Sequence, residues 1–135
     1  MGISRNPITL EAHTIPANLD DSKTINEFIV RNCGKKVIVV QGLGFVGAVM
    51  SLVCANALIE EYAVIGVDLA NENTYWKIKS INDGFFPLIA DDPKIAEFFD
   101  NAKAKGNFLA TYDPVAYQYA DVIIVDINLD VQKQS

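Results

Sequence analysis

The sequence predicts an α/β fold in which a parallel sheet of about four strands is covered by helices on both faces. Four short runs are apolar at consecutive positions, as is typical of strands buried on both faces. Long segments with helix signals separate these runs, and parallel strands require connections of that kind. Of the 135 residues, 50% are hydrophobic and 21% are charged, which is the balance of an ordinary globular domain.

The predicted elements follow the order β-α-β-α-α-β-α-β. Strands are expected at residues 36–41, 63–68, 108–111 and 122–127. Helices are expected over residues 45–59, 73–81, 93–105 and 114–119. The helix over 93–105 has the clearest limits, since Asp92 and Pro93 suit a helix start and Gly106 suits a helix end.

The region before the first strand is predicted to contain an arm and one helix. Thr24 and Glu27 have the spacing of a capping box, and Gly34 is placed to end the helix that follows. We expect this short helix to pack outside the main core. Residues 1–20 show no clear hydrophobic period and contain two prolines. They are predicted to form a mobile or loosely packed arm beside a domain of residues 21–135.

Charge and apolar content exclude several classes of partner. Lys and Arg number 11 against 17 Asp and Glu, a net charge of −6, and no basic cluster exceeds Lys35–Lys36. A nucleic acid would therefore meet net repulsion. No apolar stretch reaches the ~20 residues that span a bilayer, and the N-terminus lacks the apolar region of a secretory signal. We expect no nucleic-acid or membrane partner and a cytoplasmic location.

The side chains most often used in metal binding and nucleophilic catalysis do not form a site. Cys33 and Cys54 fit no zinc spacing and are expected to be free thiols in a reducing compartment. Cys54 falls in a mostly apolar helix and Cys33 falls before the first strand, so neither is placed as a nucleophile. His13, the only histidine, is in the arm. No metal site and no catalytic residue are predicted.

The most informative stretch is VIVVQGLGFVG, residues 37–47, in which a strand runs into three glycines and then a helix. Gly42 would allow a sharp turn off the strand, and Gly44 would let a pyrophosphate approach the backbone. Gly47 would let the helix press against the strand. A G-x-G-x-x-G between strand and helix is typical of the Rossmann-like fold, whose helix N-terminus faces the phosphates of a dinucleotide.

Asp68 is the second part of this pattern. It closes the second strand, 21 residues after Gly47, where this fold places an acid that holds the adenosine ribose. A carboxylate there accepts hydrogen bonds from the ribose diol and repels a 2′-phosphate. No arginine follows, since the next residues are Leu69, Ala70 and Asn71. The predicted cofactor is therefore NAD and not NADP.

A resemblance to a known family extends beyond the glycines. VIVVQGLGFVG, VIGVD, INDGFFPL, GNFLATYD and YADVIIV resemble, in order, the N-terminal domain of the nucleotide-sugar (UDP-glucose/GDP-mannose) dehydrogenases over residues 36–125. Those enzymes oxidise a sugar alcohol twice, to the carboxylate, with two NAD and a cysteine thiol, in polysaccharide biosynthesis. The resemblance implies that NAD is bound by a set of loop and strand-end residues: Gly42, Leu43, Gly44, Phe45, Val46, Gly47 and Asp68.

The sequence departs from the family pattern beyond the glycine loop. The family has Val-Pro-Thr-Pro where residues 127–130 read Ile-Asn-Leu-Asp, which has no hydroxyl. The family's substrate-facing glutamate falls at Ala90, and Asp91 or Asp92 would substitute only with a shifted loop. The nucleophilic cysteine and its lysine belong to a later domain that this sequence lacks. We therefore expect an incomplete, about four-stranded domain, either a piece of a longer protein or a minimal version, that is inactive by itself.

Asp126 and Asn128 complete the set of cofactor-binding candidates. Both follow the fourth strand, at the sheet edge where ligands of open α/β sheets bind. They are placed to face the nicotinamide or a substrate, and a role in capping the loop is the alternative.

Three other functions are alternatives to the nucleotide-sugar dehydrogenase. A stand-alone nucleotide-sensing module would share this half-fold, act as a homodimer and perform no chemistry. An S-adenosylmethionine methyltransferase has a similar glycine loop, but the third glycine fits a dinucleotide better. A short-chain dehydrogenase is disfavoured because no Tyr-x-x-x-Lys pair is present. NAD, a nucleotide sugar held with a further domain, and a second copy of the chain are the expected partners.

Overall fold

The computed structural model describes residues 2–89 and 91–126. Two short strands come first and are followed by a helix and the main α/β unit. The elements are β1 (Ile3–Arg5), β2 (Ala12–Thr14), α1 (Ser22–Arg31), β3 (Lys36–Gln41), α2 (Phe45–Ala55), β4 (Tyr62–Val67), α3 (Tyr75–Asp83), α4 (Pro93–Lys105), β5 (Phe108–Thr111), a 3-10 helix (Pro114–Tyr119) and β6 (Val122–Val125).

The main sheet has four parallel strands in the order β5-β4-β3-β6, as the sequence predicts. Val39 in β3 lies between Ile65 of β4 and Ile123 of β6. The chain passes from β3 to β4 and β5 in one direction, and then crosses to β6 on the other side of β3. Ligands of open α/β sheets bind where the strand order reverses, so the carboxyl end of β3 is the position to examine.

Alternate residues of β3 face two different hydrophobic clusters, one on each side of the sheet. Ile38 and Val40 pack with α2, α3 and α4, whereas Val37 and Val39 pack with α1 and the 3-10 helix. The expectation that α1 lies outside the core is wrong, because Ile25 and Phe28 are fully buried in the second cluster. A parallel sheet needs apolar cover on both faces, and α1 supplies it here.

The start of α1 differs from the sequence-based prediction. The helix begins at Ser22, and no capping box forms between Thr24 and Glu27. The Asp20 carboxylate instead accepts the Ser22 N–H at 3.0 Å, and the Ile25 N–H already donates to the Asp21 carbonyl at 3.0 Å. Thr24 is therefore inside the first turn, where its hydroxyl cannot act as the cap.

The predicted limits of α4 are confirmed. The Asp92 carboxylate caps the helix by accepting the Lys94 N–H at 2.9 Å, with Pro93 in the first turn. Gly106 ends it in the left-handed conformation, with φ of +66°. The helix predicted over residues 45–59 ends earlier, at Ala55, because the Asn56 side chain bonds the Leu52 and Phe98 carbonyls.

The first 20 residues do not form the loose arm that the sequence suggests. Strands β1 and β2 pair as an antiparallel hairpin. Ser4 is completely buried, and its hydroxyl donates to the Glu72 carbonyl at 2.8 Å and accepts the Trp76 N–H at 2.9 Å. The hairpin is thus fixed to the start of α3. Each strand has only three residues, too few for a period of two to be visible in the sequence.

Strand β5 is an edge strand of the sheet, and α3 protects it. The Asn82 side-chain amide donates to the Ala110 carbonyl at 2.8 Å and its oxygen accepts the Ala110 N–H at 2.9 Å. These two bonds replace those of a neighbouring strand and block pairing with another chain. Within the described part of the chain, no helix combines the length and apolar character needed to cross a membrane.

Replacing Ser4 by alanine should detach the hairpin from α3. The change leaves the buried Trp76 N–H without an acceptor, so we expect the free energy of unfolding to fall by about 1–3 kcal/mol. Urea unfolding followed by the fluorescence of Trp76, the only tryptophan in the chain, measures it. Ser22→Ala is the matched control, since that exposed hydroxyl bonds only Asp20. Equal losses in the two variants would contradict the assigned role of Ser4.

Candidate functional site

The carboxyl ends of the four parallel strands border one cleft of about 450 Å³. Its lining combines the end of β3, the residues that follow β4 and β6, and the start of the 3-10 helix. These residues are Gln41, Gly42, Val67, Asp68, Leu69, Tyr112, Pro114, Tyr117 and Asp126. The cleft therefore lies at the position where the topology predicts a ligand.

The three glycines of the loop have three different physical roles. Gly42 has φ of +101°, which only glycine adopts readily, and its N–H donates to the Val67 carbonyl at 2.8 Å. A Cβ on Gly47 would overlap the Gly42 carbonyl oxygen, so this glycine permits the close approach of α2. Among the described residues beyond its chain neighbours, a Cβ on Gly44 would meet only the Asp126 carboxylate, at 3.8 Å. The space above Gly44 is thus open to a ligand.

The first turn of α2 presents backbone donors to this space. Gly44 occupies the N-cap position and offers no side-chain acceptor. Among residues 2–89 and 91–126, none accepts a hydrogen bond from the N–H of Phe45 or Val46. The Ala48 N–H, one turn further, donates to the Gly44 carbonyl at 2.9 Å. Two unpaired donors at the positive end of a helix suit the phosphates of a dinucleotide.

Asp68 faces the glycine loop from the end of β4. One carboxylate oxygen accepts the Leu43 N–H at 2.9 Å and the other accepts the Leu69 N–H at 2.8 Å. An ionised carboxylate has about four acceptor directions, so two hydroxyl groups of a ribose can still be bound. No Lys or Arg belongs to the described lining of the cleft. The negative charge of Asp68, with no described cation beside it, therefore suits a ribose diol and does not suit a ribose that carries an added phosphate.

Leu43 is completely buried, and it is not among the described residues that line the cleft. A Cβ built on Gly66 would lie 2.5 Å from the Leu43 Cδ2 atom. Gly66 in β4 therefore provides the room that the second loop residue needs. Sequence reasoning missed this role, although a glycine inside a buried strand is itself a sign of close approach.

Asp126 follows β6 and lies on the opposite side of the loop from Asp68. Its Oδ2 atom accepts the Gly47 N–H at 3.0 Å, and its own N–H donates to the Gln41 carbonyl at 2.9 Å. This arrangement matches the loop-capping alternative considered for this residue. Asn128, the other candidate after this strand, lies outside the described residues, as do Ala90 and residues 127–130.

The aromatic side of the cleft was not identified from the sequence. Tyr112 and Tyr117 follow β5 and line the cleft beside Asp68. The Tyr117 hydroxyl donates to the Gln41 Oε1 atom at 3.2 Å. Partial burial, and secondarily the negative charge of Asp68, raise the pKa of Tyr117, so it remains a neutral donor. The signal in the sequence is the pair of tyrosines in TYDPVAY directly after a strand.

The thiols and the histidine are not part of this cleft. Burial on α2 raises the pKa of the Cys54 thiol, which reduces its reactivity. Cys33 is exposed and precedes β3, and His13 lies in β2. In the described ranges, no three His, Cys, Asp or Glu side chains converge as a metal site would require.

A parallel sheet with unpaired helix donors and a strand-end acid at its switch point defines a dinucleotide-binding domain. Residues 36–134 match the family model described as the UDP-glucose/GDP-mannose dehydrogenase family, NAD binding domain. The chain belongs to this family and carries its NAD-binding domain, whose cofactor is NAD. The predicted resemblance and Rossmann-like fold are confirmed.

A solved structure is similar to this chain. It is the crystal structure of NDP-N-acetyl-D-galactosaminuronic acid dehydrogenase from Methanosarcina mazei Go1, with 26% sequence identity and a TM-score of 0.61. The similarity covers 76% of this chain and 22% of that chain, so the present sequence spans about a fifth of that protein. No functionally curated protein matches the sequence.

Alanine substitutions should distinguish Gly47, which is needed for packing, from Gly44, which faces open space. Gly47→Ala places a Cβ against backbone, so we expect the free energy of unfolding to fall by more than ~2 kcal/mol. Gly44→Ala, at φ of −66°, should change it by less than about 1 kcal/mol. Chemical denaturation of both variants measures the difference. Similar losses would contradict the two distinct roles.

Proposed function

We propose that this chain supplies the NAD site of a nucleotide-sugar dehydrogenase, which oxidises a sugar-nucleotide alcohol to the acid. The observation that carries the proposal is the pair of N–H groups on Phe45 and Val46, at the start of α2, from which no described residue accepts a hydrogen bond. The loop that leads into this helix is bonded to Asp68 through the Leu43 N–H. Family membership supports the same cofactor. The solved relative is named as a dehydrogenase of an NDP-linked uronic acid, which supports this substrate class.

Different residues of the site are proposed to contact different parts of the cofactor. The N–H groups of Phe45 and Val46 bind the pyrophosphate, and Asp68 accepts from the adenosine ribose hydroxyls. Pro114 and the two tyrosines of the cleft provide an apolar wall for the adenine. The residues proposed to form or border the cofactor site are Gly42, Leu43, Gly44, Phe45, Val46, Gly47, Asp68, Asp126 and Asn128. Asp126 belongs to this set as the residue that caps the loop at Gly47, and Asn128 rests on its sequence position only.

Binding and orienting the cofactor are the functions that these residues can perform. When bound, NAD supplies the hydride acceptor for the alcohol. Turnover also requires a substrate held against the nicotinamide, and a nucleophile for the second oxidation. Within the described residues neither cysteine reaches the cleft. We therefore infer that the 135 residues bind NAD but do not turn over a nucleotide sugar without a further domain.

The outer edge of the sheet supports self-association. Val122, Ile123 and Val125 of β6 are each about half exposed, at 47%, 50% and 50%, although the strand is apolar. An apolar edge strand of this kind is a surface for pairing. A homodimer is therefore part of the proposal. The same edge favours the second candidate function, a regulatory module whose assembly responds to NAD.

A cytoplasmic location also belongs to the proposal. Both cysteines are free thiols, which suits a reducing compartment. Nucleotide sugars and NAD are charged, water-soluble ligands, as expected of small molecules used in that compartment.

Ligand-induced thermal stabilisation tests the cofactor assignment. We expect NAD to raise the Tm of the wild type more than NADP or S-adenosylmethionine does, because Asp68 accepts from a diol and repels a 2′-phosphate. Asp68→Ala should weaken NAD at least about tenfold, since the ribose loses charge-assisted hydrogen bonds. Asp100→Ala, an exposed carboxylate on α4, is the control. Equal responses to NAD and NADP would show that Asp68 does not select the cofactor.

Sedimentation of the chain with and without NAD distinguishes the two candidate functions. If the chain is part of a dehydrogenase, we expect the same oligomeric state with and without NAD, because the ligand binds at the strand ends and not along the β6 edge. A change of assembly on adding NAD would favour the regulatory module instead.

A further inference from the structure

The Asp126 carboxylate lies where the phosphates of the proposed cofactor must approach. Its Oδ2 atom bonds the Gly47 N–H at 3.0 Å, inside the first turn of α2. Apart from Gly44 and its two chain neighbours, the same oxygen is the one heavy atom in the described structure within 4 Å of a Cβ built on Gly44. The helix N-terminus that suits a phosphate therefore already has a side-chain anion beside it.

This carboxylate has no cationic partner in the described structure. The ion pairs found there join Lys36 to Glu60 and Lys79 to Asp83, on other surfaces. The second carboxylate of the cleft, Asp68, adds a like charge on the other side of the loop. Within the described structure, repulsion between Asp126 and an incoming pyrophosphate would therefore be reduced by solvent and by the backbone N–H groups, and not by a paired cation.

Capping of α2 alone does not require a charge at this position. An asparagine oxygen would accept the Gly47 N–H equally well and would leave the site neutral. The Asp126 backbone is fixed, because its N–H continues the ladder of β3 and β6 by donating to the Gln41 carbonyl. The half-buried side chain can rotate about χ1 while that backbone stays in place.

We propose that Asp126 is an internal anion that competes with the cofactor's pyrophosphate and so sets the affinity of the site. The inference rests on the proposed function, since it presupposes that a dinucleotide binds at this loop. In the absence of cofactor the carboxylate caps α2 at Gly47. On binding, the side chain turns away, and the phosphates take over the positive end of the helix.

The test compares Asp126→Asn with Asp121→Asn in the full chain. Asparagine keeps the shape and the acceptor of residue 126, so α2 remains capped while the charge is removed. Asp121 is the matched control, because it stands at the other end of β6 and its carboxylate also accepts a backbone N–H, that of Val37, at 2.8 Å. Calorimetry uses three probes, namely NAD, ADP-ribose, which keeps the pyrophosphate, and adenosine, which has no phosphate.

Asp126→Asn should bind NAD and ADP-ribose about tenfold more tightly than the wild type and should leave adenosine affinity unchanged. The gain should shrink between low and high salt, because screening weakens repulsion between exposed charges. Asp121→Asn should match the wild type for all three probes.

Two results would overturn the inference in distinguishable ways. If the wild type binds NAD and Asp126→Asn binds it equally or more weakly, the carboxylate does not compete, and the proposed function stands. A weaker Asp126→Asn would instead make Asp126 a ligand of the cofactor. If neither protein binds NAD or ADP-ribose at millimolar concentration, the proposed function fails, and this inference fails with it.

Discussion

The contact between Gly47 and the Gly42 carbonyl oxygen determines how closely α2 approaches the end of β3. No side chain fits between them, so the helix begins almost directly above the last residue of the strand. That position brings the Gly47 N–H, in the first turn of α2, to Asp126 after β6, and the Leu43 N–H of the loop to Asp68 after β4. The two strand-end carboxylates can bond the loop for this reason. The cleft, its donors and its charges all depend on this single close approach.

The two carboxylates bond the loop in similar ways but have different consequences. Asp68 lies on the β4 side, where a negative charge favours a ribose diol and opposes a further phosphate. Asp126 lies on the β6 side, next to the glycines themselves, where a negative charge opposes the pyrophosphate. Under the proposals made for the two residues, Asp68 would support selection among dinucleotides, while Asp126 would limit how tightly any of them binds. The difference arises because the two acids follow β4 and β6, which lie on opposite sides of β3.

Elements outside the main sheet support the segment that follows Asp68. The N-terminal hairpin reaches this segment through Ser4, which bonds the Glu72 carbonyl and the Trp76 N–H. α1 is joined to the strand-end edge by the Thr111 hydroxyl, which donates to the Asp21 carboxylate at 2.6 Å. These bonds join residues that are far apart in the chain. They fix the segments that follow β4 and β5, which border the cleft. The site is thus supported by parts of the molecule that do not touch a ligand.

Local patterns in the sequence determined the parallel sheet, the limits of α4 and of the 3-10 helix, the glycine loop and its acid. Apolar strand runs, capping residues and the G-x-G-x-x-G spacing each involve only a few neighbouring residues, so they are visible in the sequence. The hairpin, the core position of α1, the fit of Leu43 against Gly66 and the bond from Gly47 to Asp126 were decided only by the tertiary structure. Each of these joins residues whose separation in the sequence is unrelated to their distance in space, and no local period records such a contact.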